Sequence, residues 1–486
     1  MKLVKDILYK VAVTAIQGST NLLVGNLEFD SRKVKPSSIF VAQKGMVFDG
    51  HKFIDKAIEL GATVIVCQEF PENILENITY VQVKNSDEAL ALMASNFYDN
   101  PSSKLKLVGV TGTNGKTTIA SLLYKLFQKA GFKSGLLSTV KILVDNQQYE
   151  ATHTTPNSLI INKYLNEMVD AGVDYCFMEV SSHGIHQKRT LGLEFEGGVF
   201  TNLTHDHLDY HNTFKEYRDV KKIFFDSLPK SAFALVNIDD KNGDVMLQNT
   251  KAKKYSYALK TMADYKAKIL EYQFSGLLLN INGSEVWTKL TGSFNAYNLL
   301  AVYGVADLLG LQSTEALTLI SELESVSGRF QHLTSKDGVT AIIDYAHTPD
   351  ALEKAISALR PHVLGRLVAV IGGGGDRDPF KRPLMGAAAA GAADFVFVTD
   401  DNPRSEDPSE IRKMVISGMS EPAQVKEVGD RAEAILRAVD MLKPGDALLI
   451  AGKGHETGQV IGDDILPFDD VEQASLAVAA LDGGLV

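Results

Sequence analysis

Short apolar runs rich in Val, Ile and Phe alternate along the chain with longer segments whose apolar residues recur at helical spacing. The short runs predict buried strands and the longer ones amphipathic helices. In the first hundred residues the strands are "SSIFVAQKG", "TVIVCQEF" and "YVQVKN", and the helices are "FIDKAIELGA" and "SDEALALMASNFYDN". The polar stretch "NPSSKLK" (100–106) then predicts a linker. A second block opens with strand "LKLVGVTG" and helix "TTIASLLYKLFQKAG". It runs through "DYCFMEVSS", "EGGVFTNL", "FKEYRDVKKIFFDSL" and "FALVNID" to the helix "SFNAYNLLAVYGVADLLG". A third block, from about "SGRFQ", alternates "TAIIDYA", "PDALEKAISAL", "RLVAVIGG", "RPLMGAAAAGA", "DFVFVTD" and "DALLIAGKG". Such alternation implies α/β architecture, with parallel sheets covered by helices in every block. Three domains are expected, over 1–102, 103–328 and 329–486.

Composition narrows this only slightly. Hydrophobic residues make up 45% and charged residues 22%, as in an ordinary globular chain. A net charge of -11 argues against a nucleic-acid partner. No apolar run approaches the roughly 20 residues that cross a bilayer, and the opening "MKLVKDILYKVAV" lacks a signal-like core. Cys67 and Cys176 both lie in strand-like runs and read as buried, unpaired thiols. A cytoplasmic protein is expected.

The most specific stretch is "VGVTGTNGKTT" (108–118). Strand, glycine-rich turn and helix put backbone N–H groups and a positive helix end around an anion. Here Lys116 can reach the β- and γ-phosphates of a nucleotide, and the Thr117 hydroxyl can ligate Mg²⁺. The spacing departs from the strict G-x-x-x-x-G-K-T pattern, because Val110 stands five residues before Gly115. Glu179 closes a strand, where a hard oxygen donor would meet magnesium. The run "NLTHDHLDYH" invites a zinc reading from His205, His207 and His211, but its spacing matches no common zinc pattern and no cysteine is near. Lys221 and Lys222 read on their own as the basic face of an amphipathic helix. Alone, "THTTPNS" (152–158) reads as a capped turn. Arg189 has a guanidinium suited to gripping carboxylate or phosphate in two places.

In the third block, "VIGGGGDRDPFKRPLMG" lacks the spacing of a dinucleotide fingerprint, which excludes a nicotinamide cofactor. It leaves Arg377 at a strand's carboxyl edge, where open α/β sheets place ligands. The neighbouring "DDNPR" turn offers Asp401 to an ammonium and Arg404 to a carboxylate, with Asn402 between them and Pro403 stiffening the turn. Together they suit a ligand carrying both an ammonium and a carboxylate, although the pentapeptide on its own also reads as a turn with a surface Arg.

The variant loop Gly112-Thr113-Asn114-Gly115-Lys116-Thr117 resembles the ATP loop of the Mur ligase family, amide-forming enzymes that build the peptide stem of the bacterial cell wall. The resemblance runs from "FDSRKV" to "AGKGHE", almost the whole chain. It implies a central P-loop ATP-binding parallel-sheet domain between an N-terminal UDP-sugar-binding domain and a Rossmann-like C-terminal one. It implies ATP contacts from residues 112–118, including Thr118, and from Asn295, Arg329, Asp344 and His347. Ser31, Thr154, Thr155, Ser181, Gln187 and Arg189 would bind UDP-N-acetylmuramoyl-L-alanyl-D-glutamate, with the loop around Met46-Val47-Phe48 near the uridine. Arg377, Asp401, Asn402, Pro403, Arg404, Gly452 and Glu456 would bind meso-diaminopimelate. Thr117, Glu179, His207 and Lys221 would serve Mg²⁺, Lys221 as a CO₂-derived carbamate (N6-carboxylysine); with Lys116, the last three make the catalytic set. His205 and His211 are left as neighbours or surface residues. A monomer with small-molecule partners is expected. Three alternatives stay open: lysine as the amine, a regulatory module that binds ATP without ligation, and a folate- or cyanophycin-type ligase, which shares the loop but gives no reason for Asp401 beside Arg404.

Overall fold

The computed structural model describes residues 1–45, 49–204, 206, 210–211, 213–419 and 423–483. A five-stranded sheet comes first, built from β1 (Val13–Gln17), β2 (Asn26–Glu28), β3 (Ser38–Val41), β4 (Ala62–Cys67) and β5 (Thr79–Val83) in the order β1-β5-β4-β3-β2. All its pairings are parallel except β1 with β5. Helices α1 (Ile54–Glu59) and α2 (Ser86–Phe97) accompany it. Asn85 caps α2 by accepting the N–H groups of Asp87 and Glu88. The expected linker forms a single 3₁₀ turn, Pro101–Lys104, and Lys106 already belongs to the next sheet.

That second sheet has eleven strands. They are β6 (Lys106–Thr111), β7 (Ser134–Leu137), β8 (Ile142–Val144), β9 (Gln147–Tyr149), β10 (Tyr175–Glu179), β11 (Gly197–Phe200), β12 (Phe233–Asn237), β13 (Lys253–Ala258), β14 (Tyr265–Gln273), β15 (Gly276–Ile281) and β16 (Ser284–Thr288). The order is β9-β8-β7-β10-β6-β11-β12-β13-β14-β15-β16. From β7 to β14 every pairing is parallel, and an antiparallel extension closes each edge. The all-parallel expectation therefore holds for the centre of this sheet and not for its flanks. Its helices are α3 (Lys116–Lys129), α4 (Ser158–Asp170), α5 (Ser182–His186), α6 (Phe214–Asp226), α7 (Ser293–Leu308) and α8 (Ser313–Glu322). Apolar cores fill both faces: Leu122, Leu126, Phe177 and Leu299 on one, Met178, Phe200, Phe224 and Phe225 on the other. Cys67 and Cys176 are buried and unpaired, and burial pushes the Cys67 thiol up to about 11.

The third sheet contains β17 (Gln331–Thr334), β18 (Thr340–Asp344), β19 (Leu367–Gly373), β20 (Phe395–Asp400), β21 (Gln424–Glu427) and β22 (Ala447–Ala451), ordered β17-β18-β22-β19-β20-β21. Only β17 runs antiparallel. Helices α9 (Pro349–Leu359), α10 (Lys381–Ala390), α11 (Pro408–Ser417), α12 (Arg431–Asp440) and α13 (Asp470–Leu481) cover it. The hairpin β23 (Gly458–Ile461) and β24 (Asp464–Pro467) stands apart and ties back to Arg404 through a backbone bridge. Among the described residues no helix is long and apolar enough to cross a membrane.

Candidate active site

The phosphate loop leaves β6 and enters α3 through Gly112 and Gly115, at φ 147° and 89°. A Cβ on Gly112 would collide with the Thr201 hydroxyl, so the close approach of β11 to the loop requires glycine. The Thr113 N–H donates to the Asn202 carbonyl (2.8 Å), the Asn114 N–H to the Asn202 side chain (3.0 Å), and the Thr201 hydroxyl to the Asn114 carbonyl (2.6 Å). Lys116 folds back to donate to the Gly112 and Thr113 carbonyls at 3.0 and 2.8 Å. Burial depresses its ammonium below the ordinary lysine range; Glu179 and Asp206 oppose the shift and Arg329 adds to it. An arriving triphosphate would oppose that shift. Thr118 is buried in the first turn of α3.

Glu179, fully buried at the end of β10, anchors a continuous polar network. One carboxylate oxygen accepts the Thr117 hydroxyl (2.9 Å) and the other accepts the Thr139 N–H (2.8 Å) and hydroxyl (3.1 Å). The Thr139 hydroxyl also lies 3.0 Å from that of Thr154. Thr155 donates to the Glu179 carbonyl (2.8 Å) and accepts the Ser181 N–H (2.9 Å). Arg189 donates to the Thr155 carbonyl (2.6 Å) and twice to Gln187, while the Ser181 hydroxyl caps α5. Five of the six residues expected to hold the acceptor substrate therefore form one cluster with the expected metal carboxylate. The sixth, Ser31, sits in the 3₁₀ turn Ser31–Lys33 of the first unit, and among the described residues no hydrogen bond links it to them. That unit does touch the cluster: Lys188 pairs with Glu88 at 3.3 Å, and the Arg189 and Asp87 charges interact.

Lys221, on α6 and 1% exposed, donates to the Gly112 carbonyl at 3.0 Å and lies 4.8 Å from the Tyr217 ring centroid. Burial, and then repulsion from Lys116, hold it well below the ordinary lysine range. The solvated basic face is therefore not what α6 presents at this position. Addition of CO₂ needs the uncharged amine, the form that burial favours here, so Lys221 fits a carbamate. The Thr117 hydroxyl and Glu179 carboxylate are adjacent hard oxygen donors and fit Mg²⁺. His205, His207 and Met46–Phe48 lie outside the described residues. His211, expected as either a neighbour of the site or a surface residue, is not at the surface: it is buried among His183, His186, Tyr210 and Tyr217.

The third unit meets the loop from the other side. Arg329 donates to the Thr117 hydroxyl at 3.1 Å and lies over the Tyr345 ring, 4.3 Å from its centroid. Asp344 accepts the Phe330 N–H at 2.7 Å, and burial raises its carboxyl above the ordinary aspartate range against the pull of Arg329. His347 packs on Tyr345 and bonds its carbonyl (2.8 Å). Asn295 caps no helix; it donates to the Thr291 carbonyl and accepts from Asn298, whose side chain abuts Gly115. Lys381 with Asp206 at 2.6 Å and Asn114 with Asp350 at 3.2 Å also span these units, as does the Tyr272 hydroxyl, which donates to the Ala358 carbonyl at 2.9 Å.

The turn after β20 packs against the turn after β19. Gly375 donates to the Asn402 carbonyl, and a side chain on Gly375 would overlap the Pro403 carbonyl. Arg404, at φ 52°, is pinned by backbone bonds to Val460 and Gly462 and donates to the Gly375 carbonyl at 2.6 Å. The Arg377 and Arg404 side chains both approach Gly374, so two guanidinium-bearing chains converge there. Across the turn, Asn402 donates to Glu456 at 2.8 Å, and Tyr345 donates to the other Glu456 oxygen at 3.3 Å. Gly452, at φ 122°, lets the chain pass beneath Asp401.

A P-loop unit flanked by two further α/β units, with an anion cradle facing an amino-acid-sized charged turn, defines a nucleotide-dependent enzyme of several substrates. The chain matches the Mur ligase middle domain over residues 110–306, the Mur ligase glutamate ligase domain over 328–454, and the Mur ligase family catalytic domain over 24–98. It is 50% identical over 471 residues (96% of this chain, 97% of the other) to the UDP-N-acetylmuramoyl-L-alanyl-D-glutamate–2,6-diaminopimelate ligase of Cytophaga hutchinsonii. The ligase of the same name from Phocaeicola vulgatus is 50% identical over 476 residues, 97% and 98% of the two chains. A solved structure of a ligase of that name superposes with a TM-score of 0.70 at 30% identity, covering 99% of each chain. The chain belongs to the Mur ligase family.

Sequence reasoning missed Thr139, Asn298, Tyr345 and Lys453. Of these, Lys453 carries a sequence signal, as a cation inside the glycine-flanked "AGKGHE".

Proposed function

We propose that the chain is an ATP-dependent ligase that joins meso-diaminopimelate to the D-glutamate of UDP-N-acetylmuramoyl-L-alanyl-D-glutamate, releasing ADP and phosphate. One observation carries the choice of amine. The strand-end turn sets converging Arg377 and Arg404 chains on one side and the Glu456 carboxylate on the other, so the pocket has a place for each charge of a zwitterionic tail. Lysine would leave the half-buried Arg404 guanidinium without a carboxylate partner.

The cluster Thr154–Arg189 would orient the acceptor so that its γ-carboxylate attacks the γ-phosphorus of ATP, with Lys116 and Arg329 facing the charge that moves to the leaving oxygen. The amine of diaminopimelate then attacks the acyl phosphate carbonyl, the carbon–oxygen bond to phosphate breaks, and the nitrogen loses a proton as the amide forms. Positioning supplies much of the acceleration, because an acyl phosphate is a mixed anhydride with phosphate as a good leaving group. Thr117 and Glu179 would hold Mg²⁺, joined by His207 and a carbamate on Lys221, and this group would neutralise phosphate charge. Asp344, Asn295 and His347 would line the nucleoside, and Ser31 the uridine side. On this reading the enzyme works in the cytoplasm, as a monomer on small-molecule substrates, with no nucleic-acid partner.

The test is ADP release with UDP-N-acetylmuramoyl-L-alanyl-D-glutamate and ATP, supplying meso-diaminopimelate or L-lysine. Turnover requiring both acceptor and amine, with at least tenfold preference for diaminopimelate, is expected. Equal use of lysine would remove the assignment of the amine, and ATP hydrolysis indifferent to both would indicate the regulatory module.

A further inference from the structure

We infer that Lys453, to which neither the sequence motifs nor the proposed reaction gives a role, is a positioning residue that builds the ammonium-reading side of the amino-acid pocket. This rests on the reading of the pocket given above.

Lys453 is 0% exposed and follows Gly452 directly after β22. A buried ammonium needs acceptors for its three protons. Its nitrogen lies 2.9 Å from the Asn402 side-chain oxygen, 3.3 Å from Glu456 and 3.6 Å from Asp401. All three belong to the residues expected to touch the amine substrate. Lys453 itself, sealed from solvent, can act only through them.

The contacts fix the orientation of each partner. The Asn402 oxygen accepts from Lys453 and from the Val460 N–H (3.0 Å), so its NH₂ must face Glu456, to which it donates at 2.8 Å. Glu456 is thereby held through one oxygen by both Asn402 and Lys453, and through the other by Tyr345. The carboxylates then divide their roles by access. The Asp401 side chain is 9% exposed and the Glu456 side chain 32%. Glu456 is the one an incoming ammonium can reach, and Asp401, expected from the sequence to receive it, serves as the buried counter-ion.

Charge points the same way. Arg431, also fully buried, pairs with Asp470 at 2.7 Å and adds its field to Asp401 and Glu456. Three carboxylates thus face two enclosed cations, which leaves one negative charge, the complement of one ammonium. Without Lys453 the Asn402 oxygen loses a donor and Glu456 loses a tether, so neither is held in the orientation that receives an ammonium. Recognition of the substrate's distal ammonium should fail while the guanidinium side and the ATP site stay intact.

The experiment compares meso-diaminopimelate with 2-aminopimelate, which lacks only the distal amine. In the wild-type enzyme kcat/KM should favour diaminopimelate by more than about tenfold, since a site built to pair a polar group rejects an analogue lacking it. In Lys453→Met the ratio should fall to about 1–3, with KM for diaminopimelate raised and KM for ATP and for the UDP-linked acceptor within about twofold of wild type. A variant that keeps the wild-type ratio, or that raises KM for ATP as much as for the amine, overturns the inference. Should Lys453→Met fail to fold, Glu456→Gln is compared with Lys453→Met/Glu456→Gln, which leaves that pair with no unmatched charge. Equal ratios support action through Glu456; a further loss in the double variant refutes it. If wild-type enzyme does not consume diaminopimelate at all, the functional reading fails first, and the two failures remain distinguishable.

Discussion

Arg404 shows what a single side chain can be asked to do. Its backbone is held at φ 52° by bonds to Val460 and Gly462, and one guanidinium nitrogen is already spent on the Gly375 carbonyl. The remaining planar donors are pre-aimed, an arrangement a lysine ammonium does not reproduce. Arg404→Lys should lower kcat/KM for diaminopimelate by roughly ten- to hundredfold, with KM for ATP little changed, as steady-state kinetics in each substrate would read. His455 carries a different kind of information. Burial, with help from the Arg329 and His347 charges, pushes its imidazole down to about 3, and its Nδ1 is buried without a hydrogen-bond partner. The fold accepts the neutral ring, so its contribution is complete above the ordinary histidine value of about 6.5 and is lost as pH falls from there toward 3. Between pH 7 and 5 the unfolding free energy should drop by about 1–2 kcal/mol less in His455→Gln than in the wild type, measured by chemical denaturation at each pH.

Elements, rather than residues, explain the firmness of the third unit. Arg431 opens α12 and Asp470 opens α13, and their fully buried pair clamps two helix starts together beneath the Ala451 carbonyl. Asp470→Asn would strand a buried guanidinium and should cost about 3–5 kcal/mol, visible as an earlier unfolding transition, whereas replacing both partners by apolar residues should cost far less. The elements also mark how far the sequence could be read. The phosphate loop was legible because all its parts lie within one strand–turn–helix, where local spacing encodes geometry. The strand-end charges of 401–404 were legible for the same reason. The edge hairpin β15–β16 passed unnoticed although Asn282 and Gly283, both at positive φ, carry the usual signature of such a turn. Lys453 with Asn402 and Tyr345 with Glu456 were not legible, since those pairs are 51 and 111 residues apart and only the fold unites them. Thr139 lies in the turn between β7 and β8, and nothing local marks its hydroxyl as a partner of Glu179.

At the scale of the molecule, the reacting groups come from units that must stand close together. Lys381 reaches from the third unit to Asp206 beside the phosphate loop, and Asn114 reaches Asp350 in return. These contacts favour the closed arrangement in which Arg329 touches Thr117. Lys381→Ala should lower kcat by roughly two- to tenfold and enlarge the radius of gyration in small-angle scattering with ADP bound. Tyr345 has a quieter consequence. One ring supports the Arg329 guanidinium beside the phosphate loop, while its hydroxyl steadies the Glu456 carboxylate that we assign to the amine. Any tightening that ATP imposes on the amino acid must be returned in equal measure by the amino acid to ATP. An inhibitor that occupies either half-site and stills that ring would therefore be felt in both, and its potency would depend on which partner is already seated.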